Sequence, residues 1–399
     1  MNPISSTHNE ALLTALKKEK PTRLERVLLG GILLAATVYL PLLLSVLRTE
    51  ESRRVLSFAV CALSILAHLL LSKGKISAIG HALVLVAVGM LLGNVHAAAL
   101  LGALITSATV FCWLALTTAS PLVALLPLLG YAVSSAASGS FFLGALSLIG
   151  MSVALPLLFS IRTLRPRISS LCWVSGGIAL TAGIAAILYL LLTRHGISAE
   201  LIREELDALR ILLTREVDSR LSLLGEDLSL IPTGMDRAAY AEMMVTDLIN
   251  HLPALIILLF NGIAFLVHAA MLRILNARKM PKEALAPMVV FDVSAASAIV
   301  YLVSLFSSLA LTDADMAMCA AVAENLYLIL IPPMLITFWM FLNLLVFRKT
   351  PSCLGFLIYL GIFFLMVNFP TTVLPIAATA GAIVIPVAKI RSYFLNKKH

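Results

Sequence analysis

Few residues in this chain could do chemistry, and most of them sit inside apolar runs. Asn261, His268, Asp292, Glu324 and Asn325 all fall in stretches otherwise made of Leu, Ile, Val, Ala and Phe. A polar group left unpaired in hydrocarbon costs kilocalories, so such groups pair with each other, line a wet cavity or stand at an interface. Asn261 and His268 are seven apart and share nearly one helix face. Asp292 lies about a turn inside its run, within reach of the cations Arg278, Lys279 and Lys282, and Glu324 lies near the opposite boundary. These groups admit two readings. In one, the five line a shared polar cavity where Asp292 or Glu324 titrates and a small molecule or lipid binds. In the other, they make interhelical hydrogen bonds and reach to the interface.

Other chemistry has little footing. The chain has no HExxH, GxxxxGK[ST], GxSxG or DDxxD, so zinc proteolysis, nucleotide-driven pumping and serine hydrolysis lack their residues. Five cysteines (Cys61, Cys112, Cys172, Cys319, Cys353) lie in apolar runs without a CxxC pair, which gives neither a disulfide framework nor zinc spacing. His68, His81, Asn94 and His96 fall near the ends of apolar runs and read as interfacial. Asp313 and Asp315 make an acidic turn, which is weak evidence for a cation site. No enzymatic activity, metal or cofactor is expected.

The elements that must position these residues are membrane helices. Of 399 residues, 60% are hydrophobic and 13% charged; mean hydropathy is +1.01. A soluble domain is about half apolar and about a quarter charged, so the bilayer is the expected solvent. Runs of spanning length predict an all-α polytopic bundle of twelve spans, seven plus five. The first block (27–193) holds spans near 27–47, 55–72, 76–93, 97–118, 120–137, 141–161 and 170–192. The second (251–392) holds spans near 252–275, 287–311, 320–346, 352–368 and 371–390. A polar tail (1–26) precedes them and a basic tail (393–399) follows. Within the first tail, residues 9–20 can form a short amphipathic helix stopped by Pro21.

Charge sets the threading. With the N-terminus inside and spans alternating, 20 of the 29 Lys and Arg fall inside and 16 of the 21 Asp and Glu outside. That is the positive-inside bias, and it predicts an inner-membrane protein with both termini cytoplasmic. The same distribution accounts for the pI near 9.4 without nucleic acid as a partner; the cations lie beside anionic lipid. The segment 194–250, with six Arg and eleven Asp or Glu, is then extracytoplasmic. Ser198 reads as an N-cap before apolar residues at helical spacing from Ile202 to Leu224, Gly225 as a C-cap, and a second helix starts near Asp236. The expectation is an amphipathic hairpin: a surface element, a lid, or a docking face for a periplasmic partner.

The pattern resembles the YybS-like family of predicted bacterial multi-spanning membrane proteins, which has no assigned function. The first span GGILLAATVYLP (Gly30 to Pro41), the stretch INHLPALIILLFNGIAFLVHAAMLRIL after the charged segment, ENLYLILIPPMLITFWMF and the closing AKIRSYF carry the resemblance, over most of residues 27–394. That family's N-terminal half is similar to the substrate-binding S-components of energy-coupling-factor vitamin transporters. The resemblance implies a small-xxx-small face, here Gly31 and Ala35, meeting a second membrane subunit. The chain departs in carrying a further membrane block and in lacking an identifiable vitamin-binding signature. The expected function is transport-related binding of a small molecule or lipid between helices; the alternative is a scaffold that docks partners through the hairpin and small-residue faces.

Overall fold

The computed structural model describes residues 14–16, 18–47, 49–75, 95–118, 122–163, 167–223, 235–280, 293–311, 316–346, 361–362, 364–365 and 369–396. Among these residues the regular structure is helical, with no strand. In chain order the helices are α1 (Arg23–Ser45), α2 (Glu50–Leu71), α3 (Val95–Thr118), α4 (Leu122–Ser138), α5 (Phe141–Ala145), α6 (Ile149–Thr163), α7 (Arg167–Thr193), α8 (Ala199–Leu223), α9 (Arg237–Asn250), α10 (Leu252–Ala277), α11 (Ala295–Ala310), α12 (Ala317–Val346) and α13 (Pro370–Asn396).

Among the described residues seven helices are long and apolar enough to cross a membrane, and three shorter apolar helices (Val123–Ser138, Ala295–Ala310, Thr372–Ile385) accompany them. The expected span 76–93 lies outside the described residues, and so does nearly all of 352–368. The expected span near 141–161 is one of the seven, as Leu143–Thr163, but it is not one regular helix. It runs as α5, a 3-10 turn at Leu146–Leu148, and α6. Just before the turn, at Gly144, an added Cβ would collide with the Ser135 side chain, so the chain there lies tight against α4.

The chain forms two compact units. The first comprises 1–197 and 259–288, the second 198–258 and 289–399.

In the first unit α3 is central, with 72% of its apolar window buried. Helices α1, α2 and α6 pack on it, α4 packs on α1, and α7 packs on α6. Leu29, Leu33, Leu71, Trp113, Leu157, Ile274 and Leu275 belong to one core cluster. Lipid tails are as apolar as Leu, so close packing must supply the attraction, and small residues permit it. An added Cβ at Gly102 would lie 3.2 Å from Ser64 Oγ, and one at Gly177 would lie 2.6 Å from Pro156 Cγ. The start of α1 is a capping box: the Glu25 amide donates to Thr22 Oγ1 and the Thr22 amide to Glu25, both at 3.2 Å, which satisfies two orphan N–H groups.

In the second unit, α8 and α9 pack side by side. Arg210 pairs with Glu242 at 3.1 Å, and Arg237 with Asp218 at 2.6 Å. These pairings run in opposite directions along the two helices. The start of α9 is capped by Asp236, which accepts from the Ala239 amide at 2.6 Å. Ser198 likewise accepts from the Leu201 amide at 3.1 Å. Gly225 lies outside the described residues. Helices α11, α12 and α13 pack on one another around Tyr301, Met334, Ala378 and Ala382. Gly381 brings α13 onto the backbone of α12 at Met334, where a side chain would overlap the carbonyl oxygen.

Candidate functional site

Of the five polar residues singled out by the sequence, four lie among the described residues, and they divide between the two units. Asn261 is exposed on α10 and His268 is buried two turns further on, both in the first unit. Asp292 lies outside the described residues. Arg278, one of the three cations within reach of Asp292 in the sequence, engages Glu19 and Glu25.

Glu324 and Asn325 are in the second unit, where α9 gives way to the first turn of α10. The Asn325 amide donates to the Asn250 carbonyl at 2.9 Å and to the Ala321 carbonyl at 2.8 Å. Its oxygen accepts from the Ala254 amide at 3.0 Å. Asn325 therefore satisfies backbone groups that a helix end and a helix start leave open. Glu324 reaches His251 Nε2 at 3.2 Å, and His251 Nδ1 meets the Asp247 carbonyl at 2.8 Å. Beside this cluster an open groove of about 460 Å3 is lined by Arg210, Ala239, Glu242, Met243, Thr246, Asp247 and Asn250.

The charged centre of the first unit is Arg278. Its side chain is 1% exposed. It donates to Glu19 at 3.1 Å, to Glu25 at 3.0 Å, and to the carbonyls of Leu71 and Leu70 at 2.6 and 3.2 Å. The guanidinium lies over the Trp113 ring. Burial alone would raise the Glu19 carboxyl. The Lys73 ammonium, 2.9 Å away, and the Arg278 guanidinium outweigh it and hold Glu19 below the usual carboxylate range. The residues just before α1 are thus tied to the C-terminal ends of α2 and α10.

At the opposite end of α1, a hydrogen-bonded chain joins three helices, and the sequence reading missed it. Tyr39, 1% exposed, meets Ser57 Oγ at 2.8 Å; Ser57 Oγ meets His96 Nδ1 at 2.8 Å; His96 Nε2 meets Glu50 at 3.1 Å. Ser57 also reaches the Arg53 carbonyl at 2.8 Å. Counting protons gives two consistent arrangements. With neutral His96, Nε2–H donates to Glu50, Nδ1 accepts from Ser57, and Tyr39 donates to Ser57. With imidazolium, Nδ1–H donates to Ser57, whose own proton turns to Arg53.

Tyr39 also borders a small cavity of about 20 Å3, shared with Thr37, Ser107, Ser147 and Gly150. That volume admits about one water-sized group. Ser147, on the 3-10 turn, is buried, and its hydroxyl has no hydrogen-bond partner among the described residues. Ser107 and Thr37 donate back to Leu104 and Leu34 of their own helices and keep their lone pairs.

Of the small-residue pair on α1, Gly31 is exposed, with nothing within 4 Å of where a Cβ would stand. Ala35 is half-buried. Leu24, Val27 and Leu28 on the preceding turns are exposed as well. Comparison with models of known protein families, with curated proteins and with solved structures returns no match. The chain stands as an α-helical protein with several helices fit to cross a membrane.

Proposed function

We propose that this chain is a transport-related membrane protein of the YybS-like type, binding a small molecule between helices of its first unit. The observation that carries the reading is Ser147. Its buried hydroxyl, lacking a partner, sits on a helix break and borders the cavity that Tyr39 and Ser107 share. Interrupted helices are where membrane transporters build substrate sites, because the freed polar groups need a ligand. The cavity is only about 20 Å3, so a solute enters as the 141–148 segment moves away from α1 and α3. The exposed Gly31 face of α1 is then the contact for a second membrane subunit. The charged pair α8–α9 lies in the aqueous phase outside a bacterial inner membrane.

The test uses the purified full-length chain in detergent. Water-soluble vitamins and their precursors are screened by thermal shift. The expected outcome is a solute that raises Tm and loses that effect in Ser147→Leu, which fills the cavity. No stabilising solute, or one equally effective on Ser147→Leu, overturns the reading.

A second reading, a scaffold that docks a partner protein, is favoured by the open groove between α8 and α9 with its Arg210, Glu242 and Asp247. Reversing Arg210 and Glu242 together leaves a small-molecule shift intact, yet abolishes partner association.

A further inference from the structure

The surface between α6 and α7 carries an open, apolar groove of about 440 Å3, walled by Pro156, Cys172, Trp173, Gly176, Gly177 and Leu180. The two glycines do different work. Gly177 lets α7 close against Pro156. Gly176 faces the open side, with nothing within 4 Å of its Cβ position. Trp173 is half exposed and packs against Phe159 with ring centroids 5.6 Å apart. Only 11% of the apolar window of α7 is buried, so the groove opens onto a face that meets lipid in a bilayer.

The end of the groove is basic. Arg162 and Thr163 stand three and four residues beyond Phe159, one turn further along the same side of α6. Arg162 donates to the Ala115 carbonyl at 3.3 Å and remains exposed. The sequence places Arg165 and Arg167 just after it, and between Ser52 and Ala199 it contains no Asp or Glu. No carboxylate lies in this stretch of the chain, and the exposed Arg162 suits an anion from outside it. Trp173 near this end is the residue type that settles at headgroup level.

We propose that this groove binds an acyl chain of an anionic glycerophospholipid, with the phosphate held at Arg162. Basic sites between membrane helices on the cytoplasmic side select anionic headgroups, and here the acyl slot and the cation are adjacent. The occupant is a bilayer lipid, not a second helix.

Native mass spectrometry of the full-length protein tests this, with phosphatidylglycerol and phosphatidylcholine of identical chains offered together. The wild type retains one phosphatidylglycerol, preferred about fivefold, the ratio one basic residue near a headgroup supplies. Gly176→Leu fills the groove without meeting a neighbour and reduces retention of both lipids. Arg162→Gln retains both lipids equally. A second measurement needs no cavity-filling variant: brominated phosphatidylglycerol quenches tryptophan fluorescence more than brominated phosphatidylcholine, and Trp173→Phe removes the difference. Equal retention of the two lipids by the wild type overturns the proposal. So does unchanged retention in Gly176→Leu, or an oligomer mass that shifts in Gly176→Leu while lipid retention does not.

Discussion

The Arg278 guanidinium lies 4.3 Å from the centroid of the Trp113 ring, while its N–H groups serve Glu19, Glu25 and two carbonyls of α2. An aromatic face under a desolvated cation is attractive. The planar fork accounts for the simultaneous bonds, which an ammonium cannot reproduce. One side chain therefore fastens the segment before α1, the end of α2 and the end of α10 to the buried face of α3.

Removing that cation leaves two carboxylates facing a site built for a positive charge. Arg278→Met is expected to destabilise the first unit by about 3–5 kcal/mol, the cost of breaking one side of a buried pair. Arg278→Lys falls in between. Thermal unfolding in detergent reads both, and a wild-type Tm for Arg278→Met would contradict the assignment.

The same cluster sets a response to acid. Glu19 is held below the usual carboxylate range by Lys73 and Arg278 against the effect of burial. A group whose folded pKa is depressed stabilises the fold above its unfolded pKa and loses that contribution as pH falls through its folded pKa. The Tm is therefore expected to drop on acidification below the ordinary Glu range, about pH 4.3. Glu19→Gln should flatten that drop and lower the Tm at neutral pH. An identical acid profile in the variant would rule Glu19 out as the source.

Asn325 makes three bonds to backbone groups at the α9–α10 turn. Asn325→Leu strands the Asn250 carbonyl and the Ala254 amide, at a cost of about 1–3 kcal/mol. The local measurement is hydrogen exchange at the Ala254 amide, which should accelerate. Glu324→Gln should leave that amide protected, because Glu324 meets the His251 ring and not the Ala254 amide. Unaltered protection in Asn325→Leu would remove the structural role and return Asn325 to the list of ligand-binding candidates.

Two glycines should respond in opposite ways. At Gly381 a methyl group would strike the Met334 backbone, which cannot turn aside, whereas at Gly31 it meets open space. Gly381→Ala should lower the Tm of the full chain clearly; Gly31→Ala should leave it unchanged. Gly31→Leu should also fold, and should weaken co-purification of a second membrane subunit if that face docks one. A destabilised Gly31→Ala would mean that the face is already filled.

Several local features were legible in the residues themselves. Asp236 and Ser198 act as the caps their types and positions imply, because a cap bonds an amide only a few residues away. The apolar runs at 252–275 and 170–192 became α10 and α7, because hydropathy over about 20 residues is a local property. The close approach of Gly144 to Ser135 beside the 3-10 turn was not legible, since it joins residues on different helices. His96 read as an interfacial histidine, because nothing in its own run reveals that Ser57, 39 residues earlier, stands 2.8 Å away.

By itself the sequence determined that lipid must solvate much of this chain and which stretches become helices, since both follow from short-range composition, periodicity and capping. Only the tertiary structure decided which polar groups meet. It gave Arg278 to Glu19, 259 residues away, joined Asn325 to the α9–α10 turn, and placed Asn261 and His268 in a different unit from Glu324 and Asn325. The physical reason is that a buried charge or amide takes whichever partner helix packing brings within about 3 Å, and helix packing is set by small residues and shape along whole faces, not by spacing in the chain.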